Sequence, residues 1–206
     1  RVQRQIACTD EANTDACTKE VRRGCCADKE NTNVEMVSLK QLAETVKRTP
    51  VTINFLKERL PKNVDVVAYK RLKGKHRRTV FQGKRALVVL IPKKGQKLGH
   101  FIVLLPREHH IEYFSSLGND YKVELDKLEE PSTIFDELLG KQYIYNRVKL
   151  QSGDYHVNDC ASWVLARCVL SHLKLRDFLG IFNKRVNLAQ SDDIVAVMTA
   201  LHFINK

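Results

Sequence analysis

The stretch Asn158-Asp159-Cys160-Ala161-Ser162-Trp163-Val164 joins a polar segment to the start of an apolar run, with a cysteine at the junction. A thiol at a helix N-terminus feels the positive end of the helix dipole, which favours the nucleophilic thiolate. Cys160 is therefore the candidate nucleophile, whereas Cys168 lies among apolar neighbours and reads as packing. A cysteine nucleophile needs a base within hydrogen-bond reach, and seven histidines compete for that role. His100 opens an apolar strand directly after Leu98-Gly99, so its ring can emerge at a sheet end. His109 and His110 sit in a turn and are expected to be exposed, His76 lies in a basic tract, and His172 and His202 read as helix residues. His156, four residues before Cys160, is a second candidate base.

These groups must be carried by regular elements. Ser38 with Gln41 forms a capping box that opens a helix over Ser38–Val46, and a second helix is expected from Thr52 to Leu60, before Pro61. Strands are expected at Val64–Tyr69, Ala86–Ile91, His100–Leu105 and His110–Phe114, with turns at Lys94–Gln96 and Arg107–His109, giving an antiparallel meander. Tyr143–Val148 adds another strand. Helices return at Ile134–Leu139, ended by Gly140, then at a long run capped by Asp159, and at a last one capped by Ser191. Helices, then a sheet, then helices make an α+β domain with a mixed, mainly antiparallel central sheet flanked by helices. Residues 1–36 form a polar, Cys-rich arm, and 37–206 the folded domain.

With 206 residues and 43% hydrophobic content the chain supports one good core. No apolar run approaches the roughly 20 residues that span a bilayer, and the sequence as it stands opens at Arg1 without a signal-peptide pattern. The net charge is +11, and Lys70–Lys97 carries eleven Lys or Arg residues with no acid. Within it, Lys70, Arg71, Lys73, Lys75, Arg77, Arg78, Lys84 and Arg85 are candidate contacts to a polyanion such as nucleic acid, through phosphates rather than base stacking. The bland alternative is a solvated loop and strand edge. Cys8, Cys17, Cys25 and Cys26 crowd the arm; disulfides and free thiols both stay open, and their spacing is a poor match to a zinc site. No metal or organic cofactor is expected.

Gly99-His100-Phe101-Ile102-Val103-Leu104, then Ile111-Glu112-Tyr113-Phe114-Ser115-Ser116-Leu117-Gly118-Asn119, then Asp159-Cys160-Ala161-Ser162-Trp163 resembles the adenain-type cysteine proteases. That group includes the adenovirus and African swine fever virus maturation proteases and the cellular SUMO proteases. It runs a GHW-like strand, a YFDSxG-like strand end and a DCG-like helix start, in the order His, acid, Cys. Phe101 and Ala161 are mild departures. The place of the acid falls on Ser115, which can hold an imidazole but cannot balance an imidazolium as a carboxylate does. Asn119 or Asp120 is an alternative third member; Glu112 is disfavoured, because strand alternation puts it on the opposite face from Ser115. The family's oxyanion-hole glutamine falls near Asp154 or Gly153, and Gln151 is the better donor.

The resemblance implies a papain-like fold of the adenain type and a cysteine endopeptidase acting on polypeptides, with viral polyprotein or virion precursors as substrates. It would work in the host cytoplasm or nucleus, or packaged in the virion, with nucleic acid or a peptide as activator at 70–97. Three other readings compete. One is a thioester-forming acyltransferase or a deconjugating protease for ubiquitin-like proteins. The others are a nucleic-acid-binding module on a degenerate protease fold, and a structural protein stapled by its N-terminal cysteines.

Overall fold

The computed structural model describes residues 38–49, 51–93, 95, 99–152, 159–182 and 188–204. All belong to the second of the two units into which the chain divides, Arg1–Glu35 and Met36–Lys206. The proposed arm with its four cysteines lies outside the described residues, as do His156, Asp154 and most of the turn at Lys94–Gln96.

The domain is α+β, with a five-stranded mixed sheet flanked by helices. The strands β1 (Val64–Ala68), β2 (Ala86–Pro92), β3 (Gly99–Pro106), β4 (Ile111–Phe114) and β5 (Tyr143–Tyr145) lie side by side in chain order. β2, β3 and β4 form the expected antiparallel meander, His100 pairing with Ile91 and Val103 with Phe114. The two edges differ: β1 runs parallel to β2, and β5 parallel to β4. Parallel neighbours need a crossover connection, and both crossovers contain helix. The first is a 3-10 turn at Tyr69–Leu72 followed by α3 (Arg77–Phe81), within the tract that charge alone marks as loop and strand edge. The second holds α4 (Tyr121–Lys127) and α5 (Thr133–Leu139).

Both faces of the sheet are covered, so β2 and β3 read as unbroken apolar runs rather than alternating ones. Val66, Val88, Phe101, Val103 and Phe114 face α6 (Asp159–Val169) and α7 (Leu175–Phe182), packing on Trp163, Val164 and Phe178. Leu87, Val89, Ile102, Leu104 and Tyr113 face α4 and α5, where Phe135 takes edge contacts from Tyr69, Tyr113 and Tyr121 at centroid distances of 4.8, 6.0 and 5.9 Å. The capping box at Ser38 forms as expected and opens α1 (Leu39–Arg48), which packs against α8 (Leu188–Ile204); Thr52 caps α2 (Ile53–Arg59). Ser191 does not cap the last helix: α8 begins at Leu188, and Ser191 is buried within it. α7 carries Leu175, Phe178, Leu179 and Phe182 at i, i+3, i+4 and i+7, a helical stripe the sequence reading passed over.

α6 is fixed to the sheet by a buried ion cluster. Arg167 donates from Nε and Nη2 to the two oxygens of Glu112 on β4, at 2.7 and 2.9 Å. Arg107 reaches the same carboxylate at 2.7 Å. The guanidiniums also donate to the carbonyls of Leu170, Leu173 and Ser171, which close the end of α6. Cys160 and Arg167 are seven residues apart, about two turns, and so share one face of the helix. The anchor at one end thus sets where Cys160 sits at the other. Arg167→Met should lower stability by about 3 kcal/mol in urea titration, because it leaves Glu112 buried with one cation. The double variant Glu112→Leu/Arg167→Met should recover part of that loss.

Candidate active site

β3 starts at Gly99, so His100 is its second residue, buried on the α4 side of the sheet and 1% exposed. Its Nε2 lies 3.0 Å from the Ser115 hydroxyl. Ser115 follows the last residue of β4 and is held rigidly. Its N–H donates to Asn146 Oδ1 at 2.9 Å, and Asn146 Nδ2 returns a bond to the Ser115 carbonyl at 2.5 Å. Asn146 therefore continues the β4–β5 pairing by side chain where the expected strand through Val148 stops at Tyr145. Gly118 turns the chain at φ +70°, where a Cβ would stand 2.5 Å from the Val148 carbonyl group. Leu150 and Gln151 then donate their backbone N–H groups to the Ser116 carbonyl.

Behind Ser115 stands Glu124 of α4, which the sequence reading did not select. The Ser115 hydroxyl donates to Glu124 Oε1 and the Tyr113 hydroxyl to Oε2. Glu124 Oε1 is 3.7 Å from His100 Nε2, and the carboxyl is fully buried. The available signal was a helix after the Gly118-Asn119-Asp120 turn, with Tyr121, Glu124, Leu125 and Leu128 on its inner face. Asp120, considered as a third member, instead caps α4 through Lys122 N at 3.0 Å and accepts from the Tyr143 hydroxyl at 2.5 Å. Asn119 is half-buried in the turn, and no hydrogen bond joins it to His100 among the described residues. Glu112 lies on the opposite face, as alternation requires, in the Arg167 cluster.

Cys160 is the second residue of α6 and is 5% exposed. The backbone N–H groups of Ala161 and of Phe101, the residue directly after His100, are near enough to favour its thiolate. The dipole argument alone favours a thiolate; burial outweighs it and pushes the thiol up to about 11, with the Asp159 and Glu124 carboxyls acting in the same direction. Burial takes the His100 imidazole down to about 3. Thiol and imidazole are therefore both neutral at rest. Burial likewise raises Glu124 to about 7, opposed by the hydroxyls of Ser115 and Tyr113, and Asp159 to about 6. Asp159 Oδ1 has no hydrogen-bond partner among the described residues. Cys168 is fully buried, its thiol raised to about 12 by burial, in keeping with a packing role.

Gln151 is buried, and its Oε1 accepts from the Ser116 hydroxyl at 2.7 Å, tying it to the strand end that carries Ser115. Next to it, Ser152 N donates to Asp192 of α8 at 2.8 Å, and Asp192 also accepts from Trp163 Nε1 at 2.8 Å. Among the basic residues, Arg85 donates to the Cys168 carbonyl at 2.8 Å and Lys70 pairs with Glu130 at 3.0 Å. Arg71, Lys73, Lys75 and Arg78 are exposed, Arg77 and Lys84 half-buried; Lys75 and Arg77 line a groove opposite Glu137. His76 caps α3, His202 bonds the Arg59 carbonyl at 3.2 Å, and His172 lies in a turn after α6 rather than in a helix. Among the described residues no group of three His, Cys, Asp or Glu side chains could hold a metal, and no helix is long and apolar enough to cross a membrane.

No protein-family model matches the chain, and no curated protein matches it. Among solved structures it is similar to the ASFV pS273R protease, at 15% identity and a TM-score of 0.32, over 55% of this chain and 42% of that one. The match thus spans less than half the length of the viral protein. It is also similar to the SUMO protease Ulp1 with its catalytic cysteine oxidized to a sulfonic acid. There the identity is 13% and the TM-score 0.32, over 81% of this chain and 78% of the other. At these scores the likeness adds nothing to the geometry, which stands on the chain's own residues.

The site titrations have opposite signs. His100 keeps its neutral form in the fold while the unfolded chain protonates near 6.5, so its contribution is lost as pH falls from 6.5 toward 3. Glu124 holds its proton up to about 7 against 4.5 unfolded, so its contribution is lost as pH rises through that window. His100→Asn should therefore lose less stability than the parent between pH 7 and pH 4, read from denaturant midpoints in parallel buffers.

Proposed function

We propose that the chain is a cysteine protease in which Cys160 is the nucleophile and His100 its base. The observation that carries this reading is the meeting of two elements. The Cys160 thiol at the head of α6 lies within the influence of the Phe101 amide of β3, one residue from an imidazole whose Nε2 is engaged by Ser115. The order of the His, Ser and Cys motifs, which resembles the adenain-type proteases, supports it as well.

With Nε2 turned to Ser115, the base is Nδ1. Because thiol and imidazole are both neutral at rest, the proton moves as the substrate is attacked. The S–H bond breaks and an Nδ1–H bond forms as sulfur adds to the peptide carbonyl. The backbone N–H of Cys160 is a natural donor to the resulting oxyanion, with the Gln151 amide as the side-chain candidate. The imidazolium returns its proton to the leaving amine, giving a thioester that water hydrolyses with His100 again as base. Polypeptides are the substrate class, and polyprotein or virion precursors in an infected cell are the specific reading that the motif resemblance favours.

Cleavage of a proteome-derived peptide library, read by mass spectrometry, tests this directly. Cys160→Ala and His100→Ala should each reduce cleavage at least 100-fold, while Cys168→Ala leaves it within twofold. Acyl transfer to an added amine with no hydrolysed product would replace the protease reading by an acyltransferase one. Absence of any Cys160-dependent product would end both.

A further inference from the structure

A buried carboxyl is costly to desolvate and persists where it is hydrogen-bonded or does a job. Each oxygen of Glu124 accepts from one hydroxyl, Ser115 on one and Tyr113 on the other, and no cation is among its hydrogen-bond partners in the described residues. Lys127 of the same helix and Asp120 at its cap act on it through space; besides the Tyr113 hydroxyl, His100 of β3 and Cys160 of α6 are the other titratable groups near it among the described residues. Nothing in the fold of α4 calls for an acid here, since the neighbouring inner positions Tyr121, Leu125 and Leu128 pack against the aromatic cluster.

The directions of the bonds fix a proton order. An ionised Glu124 accepts from Ser115 Oγ–H, so the Ser115 oxygen must accept from its other partners, Leu117 N–H at 3.2 Å and His100 Nε2 at 3.0 Å. His100 then carries its proton on Nε2 and turns the Nδ1 lone pair toward proton abstraction. A serine alone does not set this order, because its hydroxyl can rotate and donate to Nε2 instead.

We propose that Glu124 is a positioning residue that acts on His100 through the Ser115 hydroxyl, selecting the Nε2–H tautomer and balancing the imidazolium formed when Cys160 gives up its proton. This inference rests on the thiol-protease reading. The proton stays on imidazole and does not pass to Glu124. The carboxylate 3.7 Å from Nε2 supplies the opposite charge that serine lacks. A glutamate on the helix after the strand thus stands in for a carboxylate at the strand end. Raising the Glu124 pKa to about 7 gives the arrangement an acid limit: protonated Glu124 no longer orders the Ser115 hydroxyl, and activity falls as pH drops through that range.

Two measurements test it on the full chain. Nitrogen-15 NMR of histidine-labelled protein, with His100 assigned by its own substitution, should show the Nε2–H tautomer in the parent at pH 8. Glu124→Gln should shift it toward a mixture. Peptide hydrolysis by Glu124→Gln should lose at least tenfold in kcat with KM within twofold, together with the acid limb near pH 7. Ser115→Asp in the Glu124→Gln background should restore at least tenfold, because it returns a carboxylate to His100; a glutamate that only supports packing would not be rescued this way. An unchanged tautomer in Glu124→Gln, or kcat within twofold of the parent, overturns the proposal. A parent protein that cleaves no peptide removes the protease reading instead, and the tautomer spectrum still decides whether Glu124 orders His100.

Discussion

Glu112 is a buried carboxylate, and the domain is arranged around keeping it paired. Two guanidiniums reach it, one from the turn before β4 and one from α6, so strand and helix share a single buried anion. Breaking such a cluster leaves a charge that the interior cannot solvate. The cluster therefore fixes the rotation of α6 as well as its distance from the sheet. A rotation of one residue, about 100°, would withdraw Arg167 from Glu112 and carry Cys160 away from the Phe101 amide at the same time.

A second polar assembly lies on the other side of the sheet. His100, Ser115, Glu124 and Tyr113 form a hydrogen-bonded chain that runs from β3 through the end of β4 to α4. Asn146 locks the Ser115 backbone from β5, and Gly118 lets the chain turn tightly beside Val148. The two assemblies use opposite faces of one short strand. Glu112 points to α6, while Tyr113 and Ser115 point to α4. Strand alternation thus separates the structural carboxylate from the one that stands near the imidazole.

Much of this was legible in the sequence. The short, β-branched apolar runs at Ala86–Ile91 and His100–Leu105 read as buried strands, and the Ser38 capping box names its own helix. Alternation alone placed Glu112 away from Ser115. What escaped was short or non-local. α4 is seven residues long and is capped by an aspartate that also reads as a candidate acid, so the helix and Glu124 were missed together. The parallel pairing of β1 depends on a crossover hidden in a run of lysines and arginines, whose charge masks Tyr69 and Leu72 beneath it. The effect of burial on Cys160 could not be read from the helix start, because the dipole is local while desolvation is set by the whole core.

If Cys160 and His100 act as one unit, covalent trapping of the thiol depends on the imidazole. The native protein would be treated with a short peptide carrying a thiol-directed electrophile, and the adduct located by intact and peptide mass spectrometry. A single adduct on Cys160, formed at least tenfold more slowly in His100→Ala and not at Cys168, is the predicted result. Labelling of Cys160 at a rate that ignores His100 would mean that the two side chains do not form a catalytic pair.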